Sequence, residues 1–253
     1  MYKYRRPLVF VGTRLDMEPL IDIPTDQGIP ILGILDRFYL GQKFEGLDVL
    51  GSDLDLINPE SNPIKDLVEY ADFFVVTYFA GIINAESDSE NMFQLRAKRI
   101  ELVKHAGCNL INLLHPDSTV SKTAQLGRNI LTMPGSRIES HTKVGSFSQF
   151  MYNTVVAHHS VVGENCALMP SAGISGSITL GKNVFLGIQS SVLSTTTPTV
   201  IGDNVMIAPS VTVLKDIPDN SIVQLNGKIL PNKKFTEDVY DGMSISSSYK
   251  RLS

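Results

Sequence analysis

From Leu126 onward the chain places a hydrophobic residue at every sixth position. Leu126, Thr132, Ile138, Val144, Phe150, Val156, Val162, Leu168, Ile174, Leu180, Leu186 and Val192 form the series, and eleven of the twelve are aliphatic or aromatic. With 43% hydrophobic residues overall, chance would give only about five. A companion series runs two positions earlier: Ala124, Ile130, Ser136, Thr142, Ser148, Thr154, Ser160, Cys166, Ala172, Ile178, Val184 and Ser190, of which nine are Ala, Ser, Thr or Cys. A large apolar residue every six positions, with a small one two before it, is a hexapeptide repeat. It predicts a triangular parallel β-helix, with short strands on three faces stacked about 4.8 Å apart per coil. The large residue points into the prism and the small one sits where the interior is narrow. A β-sandwich has no reason to keep register over twelve hexads.

A longer period lies above the hexads. Gly127, Gly145, Gly163 and Gly181 are 18 residues apart, each directly after a large apolar residue, and Asn129, Asn165 and Asn183 follow three of them at two residues' distance. Three hexads therefore make one coil. Glycine and asparagine at these points are expected to supply positive φ at tight corners. The register resumes at Ile201-Gly202-Asp203-Asn204, 21 residues after Leu180-Gly181, so three extra residues between Ser194 and Thr199 are expected in an outward loop.

The first part of the chain has a different pattern. Pro7 to Gly12 reads as a buried strand closed by glycine, Met17 to Ile23 as a short helix stopped by Pro24, and Ile29 to Asp36 as a second strand ending in an acid. Asp72 to Tyr78 is a third strand. Glu90 to His105 has helical spacing at Met92, Leu95, Ile100 and Leu102, with Gly107 ending it, and Asn109 to Leu114 is a strand leading into the coils. Strands alternating with helices predict a small α/β domain with a parallel sheet. The expected organisation is an α/β domain over 1–108, the β-helix over 109–234, and a polar extension over 235–253.

Composition narrows the function classes. The net charge of −4 over 253 residues does not suggest a nucleic-acid partner. Two cysteines cannot build a disulfide framework or a four-thiolate metal site, and no metal is expected. Cys166 falls in the small-residue series and reads as an interior filler. The apolar run from Pro7 to Val11 is too short to span a membrane. The expectation is a soluble cytoplasmic protein without a membrane or nucleic-acid partner.

Candidate chemistry concentrates in Val156-Ala157-His158-His159-Ser160-Val161-Val162-Gly163. His158 follows an inward residue at a turn, so its imidazole is expected to face outward into a groove. His141 lies 18 residues before His159, so those two are expected to stack on adjacent coils. An imidazole neutral near pH 7 is a suitable general base.

A small α/β domain, a helix, the segment Leu114-His115-Pro116-Asp117-Ser118-Thr119-Val120-Ser121 and then hexapeptide coils resembles the bacterial nucleotide-sugar N-acetyltransferases and sialic acid O-acetyltransferases, over roughly residues 7–233. Its nearest stretches are Gly181-Lys182-Asn183-Val184-Phe185-Leu186-Gly187-Ile188, Ile34-Leu35-Asp36 and Asp48-Val49-Leu50-Gly51. The resemblance implies a Rossmann-like first domain, a left-handed coil, a homotrimer, and acetyl-coenzyme A in the groove between neighbouring prisms. His158 matches the family's general base. His159 stands where the family carries an acid, and a second imidazole there would depress the basicity of His158 by like-charge repulsion. Ala167 replaces a histidine that touches the acetyl group in some relatives. Gly176, Gly187 and Ile188 match coenzyme-contacting segments, and Ala208 is expected to keep a backbone donor that Pro209 lacks. At the nucleotide-sugar end only Gly12 survives of a glycine-rich turn. Thr13 and Arg14 follow it, with Arg14 expected as a charged phosphate donor and Asp36 as an acceptor from ribose or base. The implied activity is acetyl transfer to the amino group of a nucleotide-linked amino-deoxysugar. Transfer to a sugar hydroxyl and a non-catalytic trimeric scaffold remain open alternatives.

Overall fold

The computed structural model describes residues 5–14, 17–61, 64–76, 92–195 and 198–232. The expected extension over 235–253 and the end of the expected third strand, 77–78, lie outside the described residues. The chain divides into two compact units, and the second begins at Leu114.

In the first unit, strand β1 (Leu8–Val11) is buried along its whole length and lies between β2 (Ile31–Leu35) and β5 (Asp72–Val75), parallel to both. Beyond β2 comes β4 (Leu47–Gly51), also parallel, and then β3 (Lys43–Phe44), which is antiparallel to β4. The order is β3-β4-β2-β1-β5. The parallel sheet read from the hydrophobic runs thus carries an antiparallel outer strand, added by a two-residue hairpin. Glu45 and Gly46, at φ 48° and 77°, make its turn. The helix α1 (Glu18–Asp26) runs through Pro24 instead of stopping before it. Pro24 stands in the last turn, where it forfeits one backbone bond of a helix that needs only two more residues. The Thr25 hydroxyl donates to the Ile21 carbonyl there, at 2.7 Å. After α2 (Lys65–Tyr70), helix α3 (Met92–His105) ends at Gly107, whose φ of 68° lets Cys108 N–H reach back to the Val103 carbonyl at 3.0 Å.

The strand expected over Asn109 to Leu114 is split. Leu110 forms a parallel bridge with Phe73 of β5, whereas Leu113–Leu114 is the first strand of the coils. The bridge holds this stretch to the first sheet, so the units part after Leu113 and not after Cys108.

The second unit is a stack of two-residue strands on three faces. The first face runs from Thr119–Val120 to Thr212–Val213, the second from Gln125–Leu126 to Val200–Ile201, and the third from Leu113–Leu114 to the hairpin Ser221–Val223 and Ile229–Pro231. Successive coils pair in parallel, as in Arg137 with Val155 and Lys143 with Val161. The second residue of a strand points inward, and Ile138, Val156, Leu168, Leu180, Val192 and Ile207 belong to one buried cluster. Val200–Ile201 pairs with Thr179–Leu180, which places the three-residue insertion between Val192 and Val200. The last coil is shorter than the rest: Ile201 bridges Ile217, after which the hairpin turns the chain back antiparallel.

The corners differ from the expectation for glycine. Positive φ belongs, at most corners, to the residue three places after the inward one, including Asn129, His141, Phe147, Asn153, His159, Asn165, Ser171, Ser177, Asn183 and Gln189. Gly127, Gly145, Gly163, Gly181 and Gly202 are not among the positive-φ glycines. They are glycine because adjacent coils approach too closely for a side chain. A Cβ on Gly145 would lie 2.5 Å from Glu164 N, and one on Gly127 would lie 2.6 Å from Ser146 N. The small-residue series also has a second task. Ser160 Oγ donates to the Ser175 carbonyl and accepts from Ile178 N–H, tying one corner to the next.

Candidate functional site

The two histidines sit on the corner where the chain passes from the first face to the second. Both are exposed, and His159 is held at φ 58°. The corner is built from three coils. Below lie Glu139 and His141, whose ring stands 4.9 Å from that of His159 with a 35° tilt. A Glu139 carboxylate oxygen accepts from His158 N–H at 3.3 Å. Above lies Gly176, with Ser177 N–H donating to the His158 carbonyl at 3.0 Å. A Cβ on Gly176 would stand 2.5 Å from His158 Cε1 and 2.8 Å from Nε2, so bare backbone is the floor on which the imidazole rests. His158 Nδ1 lies 3.1 Å from His159 Nδ1, with the rings nearly perpendicular at 82°. Among the described residues no protein group hydrogen-bonds to His158 Nε2. The arrangement is an oriented imidazole with one nitrogen tethered and the other open.

Gly176 is therefore gathered with His158 and His159, while the other expected coenzyme residues are not. Gly187, Ile188 and Ala208 share the next corner, between the third and first faces. Gly187 packs against Ala208-Pro209, where its Cβ would lie 2.5 Å from Pro209 N, and Ile188 is half-exposed beside it. The donor expected at Ala208 is already used: its N–H bonds the Val223 carbonyl at 2.9 Å, as the ladder to the final hairpin requires. Ala167 lies in a strand of the third face and is fully buried, so it is not part of the His158 corner.

In the first unit, Gly12, Thr13 and Asp36 meet at the C-terminal ends of β1 and β2, around a cation that the sequence pattern had not marked. Arg99 of α3 is buried with the carboxylates of Asp36 and Asp53, at 2.9 and 3.0 Å. Asp36 Oδ2 also accepts from Thr13 Oγ1, and Oδ1 from Phe38 N–H. Asp36 is thus fully buried with both oxygens engaged, and it secures Arg99 where a ribose acceptor was expected. Gly12, at φ 93°, touches the same guanidinium: a Cβ there would fall 2.6 Å from Arg99 Cζ. Arg14 is buried, not displayed to solvent. Arg37 closes the cluster by forking onto Asp53 with bonds of 2.8 and 2.9 Å. Burial alone would raise the pKa of Asp53. The hydrogen bond from Arg37 and the charges of Arg99 and Arg37 outweigh it and hold the carboxyl below its usual range.

Glu139 was also missed, although coil arithmetic reaches it: it lies 18 residues before Ala157, hence directly beneath the histidine corner. Arg99, Asp53 and Arg37 have no such signal, because no period links α3 to the loops after β2 and β4. Neither cysteine is placed as a nucleophile. Burial pushes the Cys108 thiol up to about 12, and Cys166 Sγ donates to the Gly181 carbonyl inside the prism. Among the described residues no group of three or more His, Cys, Asp or Glu could hold a metal, and no helix is long and apolar enough to cross a membrane.

No protein-family model matches the sequence. The curated relatives it resembles include the GDP-perosamine N-acetyltransferase of Escherichia coli O157:H7, 22% identical over 156 residues, covering 62% of this chain and 61% of that protein. The bifunctional protein GlmU of Streptococcus mutans serotype c is 27% identical over 153 residues, or 60% of this chain and 32% of that one. The chain thus spans less than two thirds of the length of these relatives. Among solved structures, a perosamine N-acetyltransferase mutant from Caulobacter crescentus, in complex with CoA and GDP-perosamine, superposes with a TM-score of 0.72 at 22% identity, over 88% of this chain and 96% of that one. WeeI from Acinetobacter baumannii AYE gives 0.71 at 20% identity, over 88% and 99%. At these identities the likeness establishes the fold. The Escherichia coli relative and the Caulobacter crescentus structure are both perosamine N-acetyltransferases.

Proposed function

We propose that this protein is an acetyl-coenzyme A-dependent N-acetyltransferase acting on the amino group of a nucleotide-linked amino-deoxysugar. The observation that carries the reading is the His158 imidazole, seated on Gly176 with Nδ1 tethered and Nε2 open. It stands on a coil stack like that of enzymes solved with CoA and GDP-perosamine. In the reaction the sugar amine attacks the thioester carbonyl carbon, the C–N bond forms and the C–S bond breaks. The proton lost by nitrogen passes to His158 Nε2, and the coenzyme thiolate leaves to take up a proton. The imidazole acts mainly as the amine turns acidic during attack.

The finer architecture belongs to the same proposal. The coil winds left-handed, and the first unit is a Rossmann-like domain that receives the nucleotide sugar near Gly12, Thr13 and Arg14. The second unit, which begins at Leu114, binds the coenzyme. Half-exposed Val161 and Val200 on the second face, with Val155 on the first, support burial against neighbouring prisms in a cytoplasmic homotrimer. In such a trimer the corner with Gly187 and Ile188 of one prism would face the His158 corner of its neighbour, so that together they would hold the coenzyme.

The test is to follow free thiol release from acetyl-coenzyme A with a panel of nucleotide-linked amino sugars and their hydroxyl counterparts. Amino acceptors are expected to turn over, and H158A is expected to lower kcat by ~10²–10⁴-fold, the span of general-base assistance. Turnover of hydroxyl acceptors alone would replace the amine reading. Absence of coenzyme binding by calorimetry at sub-millimolar concentration would replace it with the scaffold.

A further inference from the structure

We infer that His159 does the work of the acid it replaces: as a neutral imidazole, its Nδ1 accepts a hydrogen bond from His158 Nδ1–H and so fixes the tautomer that leaves His158 Nε2 a free base. The inference rests on the function proposed above for its catalytic meaning, but not for the hydrogen bond itself.

Two ring nitrogens 3.1 Å apart must share a single hydrogen, because a pair of lone pairs or a pair of N–H groups would repel. One imidazole therefore donates and the other accepts. Their surroundings decide which. His158 has an anion beside it, the Glu139 carboxylate on the preceding coil, 3.3 Å from its backbone nitrogen. His159 has another ionisable ring against it, His141, at 4.9 Å. The hydrogen of the pair is thus assigned to His158, the residue on the side of the carboxylate. The following coil offers only Ser175, Gly176 and Ser177 at this corner, while Arg137 and Lys143 are exposed on the flanking strands of the preceding one.

The consequence for the base is direct. A neutral imidazole with hydrogen on Nδ1 carries its lone pair on Nε2, the open nitrogen. When that nitrogen takes the proton of the attacking amine, the Nδ1–H bond to His159 becomes charge-assisted and strengthens. His159 is in this sense a positioning residue.

The test uses the full chain with ring-nitrogen-labelled histidine. Two-bond nitrogen–proton spectra above the titration range, assigned with H158N and H159N, are expected to show His158 with hydrogen on Nδ1 and His159 with hydrogen on Nε2. Both rings with hydrogen on Nε2, or the reverse pair, would overturn the inference, whether or not the protein acetylates anything. If the spectra show the expected pair and no acceptor turns over, the hydrogen bond stands and the proposed function falls. Kinetics give the second readout. Position 159 needs a residue that accepts positive φ, so H159G removes the ring without backbone strain and H159D restores an acceptor. H159G is expected to lower kcat by about tenfold, part of the ~10²–10⁴-fold that base assistance supplies. H159D should recover it, because the carboxylate again accepts from His158 Nδ1–H. Full activity in H159G, or no recovery in H159D, would overturn the role.

Discussion

A methyl group at position 176 would meet His158 Cε1 at 2.5 Å, and a methyl group at position 145 would meet the backbone nitrogen of Glu164 at the same distance. The two clashes differ in what can yield. The imidazole can swing away, whereas the stacked coil cannot move without parting its ladder. G176A is therefore expected to cut kcat while leaving the melting temperature almost unchanged. G145A is expected to destabilise the coils by about 1–3 kcal/mol, the usual cost of overpacking, with a matching fall in melting temperature. Thermal unfolding and initial rates measured on both variants would separate the two roles. Gly145 and its fellows Gly127, Gly163 and Gly181 also mark how far residue-level reading reached. Their 18-residue spacing was visible and correct, but spacing does not distinguish a residue chosen for its φ from one chosen for its missing Cβ. Only the register of neighbouring coils, which is a three-dimensional fact, makes that distinction.

At the scale of the element, one edge of the prism is laced by asparagines. Asn165 Nδ2 donates to Asn183 Oδ1 at 2.7 Å, Asn183 to Asn204 and Asn204 to Asn220, the latter two at 2.8 Å. All four are in the left-handed region, so each holds both a turn and a rung. N183G keeps the turn and deletes the two bonds that its amide makes. At about 0.5–1.5 kcal/mol net for each, it is expected to destabilise the coils by about 1–3 kcal/mol. Denaturant midpoints read from hydrogen exchange on the second-face and third-face strands would measure it. The hexapeptide period made the strands, the inward residues and the insertion after Val192 legible, because a stack of near-identical coils repeats its constraints. The final coil was less legible. Ile217 follows Val213 by four positions, so the period fails where the structure stops being repetitive.

For the whole molecule, the two units draw their stability from different chemistry. The coils rest on aliphatic stacking, whereas the first unit contains a buried guanidinium between two buried carboxylates. Removing one member of such a group leaves charges uncompensated, and R99L is expected to destabilise the first unit by about 3–5 kcal/mol. Loss of exchange protection in β1 and β2, with the coil strands still protected, would be the signature. Asp53 adds a pH dependence whose sign follows from its lowered pKa. The stability it contributes is present above the ordinary carboxylate value of 3.8 and is lost as pH falls through the lower folded value. Acid titration should thus open the first unit at low pH, and D53N should flatten that dependence. The first unit was only partly legible for the same reason. Strands and helices announce themselves by local periodicity, but Arg99 meets Asp36 and Asp53 across 63 and 46 residues of unrelated pattern.

The closing hairpin, Ser221–Val223 with Ile229–Pro231, reverses direction against a stack that is otherwise parallel. A parallel coil ends in a row of unpaired donors and acceptors that matches its own next turn, and hence the free end of another molecule. The hairpin covers that row on the third face with a strand of opposite polarity, and Pro231, which has no N–H to offer, stands in its outer strand. It is a chain terminator in the polymer chemist's sense. Without it the third face would present that row to another molecule; with it, the row is met within a single chain.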